Sequence, residues 1–457
     1  MSITRSIFKA YDIRGIVENE LTPEVVKLIG LAIGSESIAQ EERGIVVGRD
    51  GRLTGPILSE ALISGLIESG CHVVDVGMVP TPLVYFATYT KGATSGVMIT
   101  GSHNPAEYNG LKIMIAGETL TAERIESLYS RIINEDFSYG AGSSITMNID
   151  QDYIDKIKSD IKLDKKLNIV VDCGNGIAGN IAPKLFESLG ANVTKLFCLV
   201  DGRFPNHHPD PSKPENLKDL INKVLDTGAD LGLAFDGDGD RLGLIDNKGN
   251  VIWADRQMIL YARDVISRNS GAKIIFDVKC SSLLPQDISK HGGEPIMSRT
   301  GHSFIKNKIK ETGAELGGEM SGHIFFNERW YGFDDALYTG ARLLEIISKN
   351  DDSCAEIFAK LPDRANTPEI NIHFNKHGEQ HDAISKLSHD IDFPGSEINT
   401  IDGIRVDYEN GWGLVRASNT TPCLVLRFEA DDKETLENIQ AKFRAWLERN
   451  SIPTKNL

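Results

Sequence analysis

The chain has 457 residues, 40 % hydrophobic and 25 % charged, a length that points to three or four domains and a balance that excludes disorder. Its net charge of −16 argues against a phosphate-backbone binder, so no nucleic-acid partner is expected. Six scattered cysteines without a CxxC pair argue against a zinc site or a disulfide framework, and no apolar run approaches the roughly 20 residues of a membrane span. The first eight residues lack the apolar run and cleavage site of a signal peptide, and a cytoplasmic location is expected.

In chain order, three segments repeat one succession of elements. The first predicts a strand over 44–48 (GIVVG), the turn 49–52, a helix over 56–69 stopped by Gly70, and a strand over 71–77. A third strand, 96–99 (GVMI), runs into TGSHNP at 100–105. The second segment is a strand over 167–172 (LNIVVD), a Gly-Asn-Gly turn, a helix ending at Gly190, and strands over 191–197 and 231–235. The last of these (LGLAF) runs into DGDGDR at 236–241. The third segment is a strand over 272–278, a helix ending near Gly292, a strand over 294–298, and AELGG running into EMSGH at 319–323. Continuous Val/Ile/Leu runs alternating with helices predict mixed, largely parallel sheets buried on both faces. Ligand groups then gather on loops at the carboxyl ends of strands. Beyond Pro362 strand-like runs and two helical stretches, the last over 433–449, predict a smaller α+β domain. The expected domains are 1–148, 149–250 and 251–362, all α/β, and 363–457, α+β.

The loops carry the chemistry. Ser102 follows a buried strand, with Gly101 permitting close approach and Pro105 stiffening the exit. It can serve as a nucleophile or phosphate carrier, or merely join strand to helix in a turn. Asp236, Asp238 and Asp240, spaced by glycines, can converge on a hard cation such as magnesium or calcium, and are costly together without one. An EF-hand fails because its glycine position holds Arg241 and its closing glutamate position holds Asn247. Lys9, Arg14, Lys112, Arg241, Lys279, Arg299, Lys306 and Arg416 are candidate phosphate ligands. Arg416 opens RASNTTP (416–422), which joins a guanidinium to hydroxyl and amide donors. There is no GxxxxGK[ST], and GNGIAG (174–179) lacks the downstream acidic residue of a dinucleotide site, so it reads as a tight turn into a helix.

Five motifs in order give the chain its resemblance to a family: FKAYDIRG (8–15), GVMITGSHNP (96–105), DGDGDR (236–241), GEMSGH (318–323) and RASNTTP (416–422). Together they resemble the α-D-phosphohexomutases, in particular the bacterial phosphomannomutase/phosphoglucomutase branch. The resemblance implies three similar α/β domains with mixed sheets and a C-terminal α+β domain around a central active-site cleft. It implies a phosphorylated Ser102 and one magnesium ion held by Asp236, Asp238, Asp240 and that phosphate. Glu319 and Ser321 are implied to bind the sugar 3- and 4-hydroxyls, and Arg416, Ser418, Asn419 and Thr420 the phosphate not being transferred. Tyr11, Lys279 and His302 complete the implied substrate site. Lys112 and His323 are the implied proton carriers, with Arg14 and Arg241 steadying charge near Ser102. The implied substrates are small hexose phosphates, with glucose or mannose 1,6-bisphosphate as intermediate and activator; a monomer is expected.

Three rivals stand beside this reading. A phosphoglucosamine mutase of the same family is disfavoured by Met320 and Gly101. A metal-dependent phosphomonoesterase shares the serine and the aspartates but releases inorganic phosphate. A sugar-phosphate-binding protein requires neither. A hinge near Pro362 to Pro368 is expected to let the last domain open the cleft.

Overall fold

The computed structural model describes residues 3–376, 378–419, 421–455 and 457. Four sheets follow one another along the chain, of seven, five, four and six strands. The first three share one topology. In each, a central strand pairs in parallel with a neighbour on either side, and a fourth strand turns back antiparallel. In the first sheet the order is His72–Met78, Gly44–Arg49, Ser95–Ile99 and Tyr108–Ile115. In the second it is Asn192–Leu196, Asn168–Asp172, Leu231–Phe235 and Leu242–Asp246. In the third it is Glu294–Ser298, Lys273–Asp277, Leu316–Gly318 and Ile324–Phe326.

The third strand of each set is buried along its whole length, because the sheets are covered on both faces. Each polar loop begins where that apolar strand stops. Loop and antiparallel return together form a hairpin, whose last paired residues are Ile99 with Leu111, Phe235 with Leu242, and Gly318 with Ile324. The three loops therefore leave equivalent corners of three sheets. An isolated bridge between Arg241 and His323 joins the second corner to the third.

Local structure follows the residues. Gly70, at φ 101°, ends the helix Gly55–Ser69 in the left-handed conformation that favours glycine. In the second repeat the helix is split into a 3-10 turn, Ile177–Asn180, and the helix Ala182–Ser188. The turn lies tight against its neighbour: a Cβ on Gly179 would stand 2.1 Å from the Cys198 carbonyl oxygen.

The fourth sheet is antiparallel among Ile404–Tyr408, Gly411–Ala417 and Cys423–Ala430, with Ile370–His373 along one side. The helices Glu379–Ser388 and Lys433–Arg449 accompany it, and the latter buries Leu436, Ile439, Phe443 and Leu447. This is the α+β fold expected for the C-terminal region. Its seam with the third domain is polar and well bonded. Trp412 has the Arg405 guanidinium 3.9 Å from its ring centre and that of Arg427 at 5.9 Å. Arg405 donates to the carbonyls of Val278 and Cys280 at 2.6 and 3.0 Å, and Arg427 to Asp255 at 2.9 Å and to the Lys279 carbonyl. No helix among the described residues is long and apolar enough to cross a membrane.

Candidate active site

Ser102 is buried, and its backbone sits at φ 49°, a region non-glycine residues enter at a cost. Arg52 holds it there. The fully buried guanidinium donates to the carbonyls of Ser102 and Asn104 (2.9 and 2.6 Å) and of Pro105 and Tyr108 (2.6 and 2.9 Å). Asp50 neutralises Arg52 and accepts from the Thr100 hydroxyl at 2.7 Å. Gly101 is needed for this packing, since a Cβ there would stand 2.4 Å from the Arg52 Cζ. The Ser102 hydroxyl then points at the second corner, its Oγ 3.1 Å from Asp236 Oδ2 and 3.0 Å from His103 Nδ1.

The aspartate loop is shaped by its own backbone. Asp236 Oδ1 accepts the N–H groups of Gly239, Asp240 and Arg241 at 3.0, 3.1 and 3.2 Å. Gly237 touches the serine loop directly, and a Cβ there would lie 2.2 Å from the Ser102 carbonyl oxygen. Asp238 Oδ2 accepts from the Thr81 hydroxyl at 2.6 Å and the Lys112 ammonium at 2.7 Å; Lys112 also pairs with Asp240. Burial and the neighbouring carboxylates of Asp238 and Asp240 push the Asp236 carboxyl well above its ordinary range. One oxygen from each aspartate lies within 4.8 Å of the others. Among the described residues Asp238 Oδ1 is buried without a hydrogen-bond partner, and Asp240 Oδ1 lies 3.4 Å from His323 Nε2. Buried, hard oxygens converging in this way fit a divalent cation.

The third corner supplies Glu319, Ser321 and His323. His323 Nδ1 lies 2.8 Å from Glu319 and 2.9 Å from the Ser321 hydroxyl, and Nε2 lies 3.4 Å from Asp240. Burial and the Arg241 guanidinium push the imidazole down, but the partnership with Asp240 and Glu319 outweighs them and brings it to about 9. Burial likewise disfavours the Lys112 ammonium, and Asp238 and Asp240 raise it well above its usual value. His302, edge-on to Tyr11 at 5.3 Å, is driven well below its ordinary range by burial and by Lys306 and Lys112.

The fourth domain faces these corners across a cavity of about 940 Å³. Arg416 Nε pairs with Asp402 at 2.9 Å, and Lys279 Nζ with Glu369 at 2.6 Å. Ser418 and Asn419 line the same cavity, whereas Thr420 lies outside the described residues. Tyr11, Arg14, Ser102, Lys112, Arg241, Lys279 and Arg416 all face it, so five of the candidate phosphate ligands converge on one place in a chain of net charge −16. Lys9, Arg299 and Lys306 do not line it. Arg299 lies over the Phe304 ring, and Lys306 pairs with Asp334 at 2.9 Å.

Several contributors escaped the sequence reading. Arg52 and Asp50 read only as a turn, although the D-G-R string was visible. Thr81 lies 157 positions from Asp238 and carried no local signal. Asp12, which pairs with Arg14 at 2.5 Å, stood inside the quoted opening motif without a role.

Comparison with known proteins gives the chain its family. Models of the phosphoglucomutase/phosphomannomutase family match residues 5–139 (alpha/beta/alpha domain I), 151–249 (domain II), 253–365 (domain III) and 357–445 (C-terminal domain). A Pseudomonas aeruginosa phosphomannomutase/phosphoglucomutase is 56 % identical over 454 residues, 99 % of this chain and 98 % of that protein. A Neisseria gonorrhoeae phosphoglucomutase is 53 % identical over 453 residues, covering 98 % of each. The crystal structure of a phosphoglucomutase/phosphomannomutase family protein from Burkholderia thailandensis superposes with a TM-score of 0.94 at 49 % identity, covering 98 % of each chain. The chain therefore belongs to the phosphoglucomutase/phosphomannomutase family, within the bacterial branch of the α-D-phosphohexomutases.

Proposed function

We propose that this isomerase interconverts the 1- and 6-phosphates of mannose and of glucose, with Ser102 as the phosphoryl carrier. The observation that carries the proposal is the Ser102 hydroxyl 3.1 Å from Asp236, beside the converging carboxylates of Asp238 and Asp240. We also propose a cytoplasmic monomer, with domain limits near 148, 250 and 362.

Phosphoryl transfer depends on aligning two oxygens and neutralising spread negative charge. Asp236, Asp238 and Asp240 would hold one magnesium ion, which supplies positive charge against the moving phosphoryl group. Arg241 and Arg14 add guanidinium charge from the protein. The Arg52 clamp keeps the Ser102 backbone fixed, so little reorganisation is needed at the moment of reaction. Glu319 and Ser321 accept and donate to adjacent sugar hydroxyls. Arg416, Lys279, Ser418, Asn419 and Thr420 grip the phosphate at the far end.

Lys112 or His323, each holding a proton beside Asp240 until it gives that proton up, then takes the proton of the attacking sugar hydroxyl. Lys112 gives up its own proton more readily once Asp238 and Asp240 are neutralised by an ion. The product of the first transfer is a hexose 1,6-bisphosphate and bare Ser102. The bisphosphate turns end for end and returns its other phosphate to the same oxygen. One grip must accept either end of the ligand, and its donors sit on a separate domain joined through residues 362–368, the proposed hinge.

The test is peptide mapping of the active protein. The Ser102 peptide is expected to carry about 80 Da, one phosphoryl group. Ser102→Ala is expected to lose turnover by roughly a thousandfold or more. Full activity in that variant would end the carrier role. Parallel assays with mannose 6-phosphate and glucosamine 6-phosphate, and of released phosphate, separate the mutase from its rivals.

A further inference from the structure

Cys173 and Cys198 stand just beyond the neighbouring parallel strands Asn168–Asp172 and Asn192–Leu196. Both thiols are free, and their sulfurs lie 3.6 Å apart. The backbone around them is pinned. The Cys173 N–H donates to the Leu196 carbonyl at 3.2 Å, and the Asn175 N–H to the Phe197 carbonyl at 2.8 Å. Phe197 adopts φ 47°, and the carbonyl of Cys198 is packed on Gly179. The Cys198 sulfur also meets the Val171 and Leu196 carbonyls, each at 3.4 Å, while Cys71 meets the Gly34 carbonyl and Cys280 the Asp277 carboxylate.

We propose that Cys173 and Cys198 close into a reversible disulfide, and that turnover falls while it is closed. A disulfide needs its sulfurs about 2.05 Å apart, so the pair must approach by roughly 1.5 Å. Side-chain rotation and a small shift of the pinned turn can supply that distance. The co-reactant is a peroxide. The Cys198 sulfur attacks one oxygen of hydrogen peroxide and breaks the O–O bond, giving a sulfenic acid and one water that carries the thiol proton. The Cys173 sulfur then attacks the sulfenic sulfur, and hydroxide leaves with the Cys173 proton as the second water. Two thiols are oxidised and one peroxide is reduced. Cys198 leads because it is the more exposed, and its hydrogen-bonding contact with the Cys173 sulfur brings it below its usual value, against burial. Burial raises Cys173 well above its own.

The link to the active site is backbone contact on both sides. The Cys173 carbonyl accepts from Gly176 at 2.6 Å, and the next residue, Ile177, donates to the Gly237 carbonyl at 3.1 Å. Gly176 also lies flat on Gly237, where an added Cβ would stand 3.0 Å from the Gly237 Cα. Downstream of Cys198, His208 meets the His103 carbonyl beside Ser102. Drawing the two sulfurs together therefore pulls on the supports of both the aspartate loop and the serine loop.

The full-length protein is treated with hydrogen peroxide, and non-reducing peptide maps are followed beside glucose 1-phosphate turnover. The Cys173–Cys198 cross-link and the activity loss are expected to rise together, to about tenfold or more, and to reverse with dithiothreitol. Cys198→Ser, or Cys198→Ala if the serine form folds poorly, is expected to start near wild-type activity and to resist peroxide. The proposal is overturned if no such cross-link forms, if it forms without loss of turnover, or if the Cys198 variants lose activity equally. Activity before oxidation is recorded first, so failure here leaves the mutase assignment intact.

Discussion

Replacing Gly237 by alanine adds one carbon where the aspartate loop and the serine loop touch. That carbon would stand 2.2 Å from the Ser102 carbonyl oxygen. An ordinary carbon–oxygen approach is about 3.3 Å, so the loops must separate by roughly 1 Å. The carbonyl cannot swing away, because Arg52 already holds it at 2.9 Å. Gly237 has no positive φ, so the effect is contact alone and not backbone strain. The 3.1 Å approach of Ser102 Oγ to Asp236 opens by a similar distance. A misplacement of that size costs roughly a hundredfold in rate, about 2.7 kcal/mol. Overpacking costs about 1–3 kcal/mol of stability. In a coupled assay of glucose 6-phosphate formation, kcat is expected to fall roughly a hundredfold while KM moves little, because the proposed grips on the sugar and the distal phosphate lie on other domains. Unchanged kcat in a folded Gly237→Ala protein would refute the argument that backbone contact sets the serine–aspartate distance.

Arg52→Ala leaves Asp50 buried without its cationic partner and removes a donor from four carbonyls of the serine loop. A loss of about 3–5 kcal/mol in denaturant unfolding is expected, with partial recovery of kcat on adding free guanidinium. Chelation by EDTA is expected to abolish turnover and magnesium to restore it, and Asp238→Asn to raise the magnesium concentration needed; activity insensitive to chelator would remove the aspartates from that role. Glu369 stands on the cavity wall with its side chain a third exposed; the crowding there opposes its carboxylate, but Lys279 holds it down to about 2. A depressed carboxyl contributes stability above its unfolded value of 4.5, and that contribution disappears as pH falls from there toward 2. The difference in Tm between wild type and Glu369→Gln is therefore expected to be constant near neutrality and to shrink below pH 4.5; a constant difference down to pH 2 would contradict the pairing.

The three-fold repeat was legible because each copy announces itself locally: a β-branched run, a glycine stop, a second run, then a polar loop. What the residues did not announce was the antiparallel return after each loop. Tyr108–Ile115 is buried on both faces and lacks an alternating signature, yet it brings Lys112 to Asp238 from 126 positions away. Ser102 and the three aspartates were readable because glycines flank them and an apolar strand precedes them. Arg52, Thr81, Asp402 and Glu369 were not, because each acquires its role only through a partner remote in the chain. The cysteine pair shows the same limit: its members are 25 residues apart and meet only when two strands pair.

The Trp412 seam bears on how far the chain can be divided. Arg405 and Arg427 satisfy carbonyls of residues 278–280 that belong to the third domain, and Trp412 and Leu414 share a small core with Val278. A fragment cut at the start of the fourth domain would thus leave stranded oxygens and an uncovered apolar spot beside Lys279. Although the architecture looks like beads on a string, its final bead is stitched to its neighbour, and a shortened version should be an unstable protein, not a smaller catalyst.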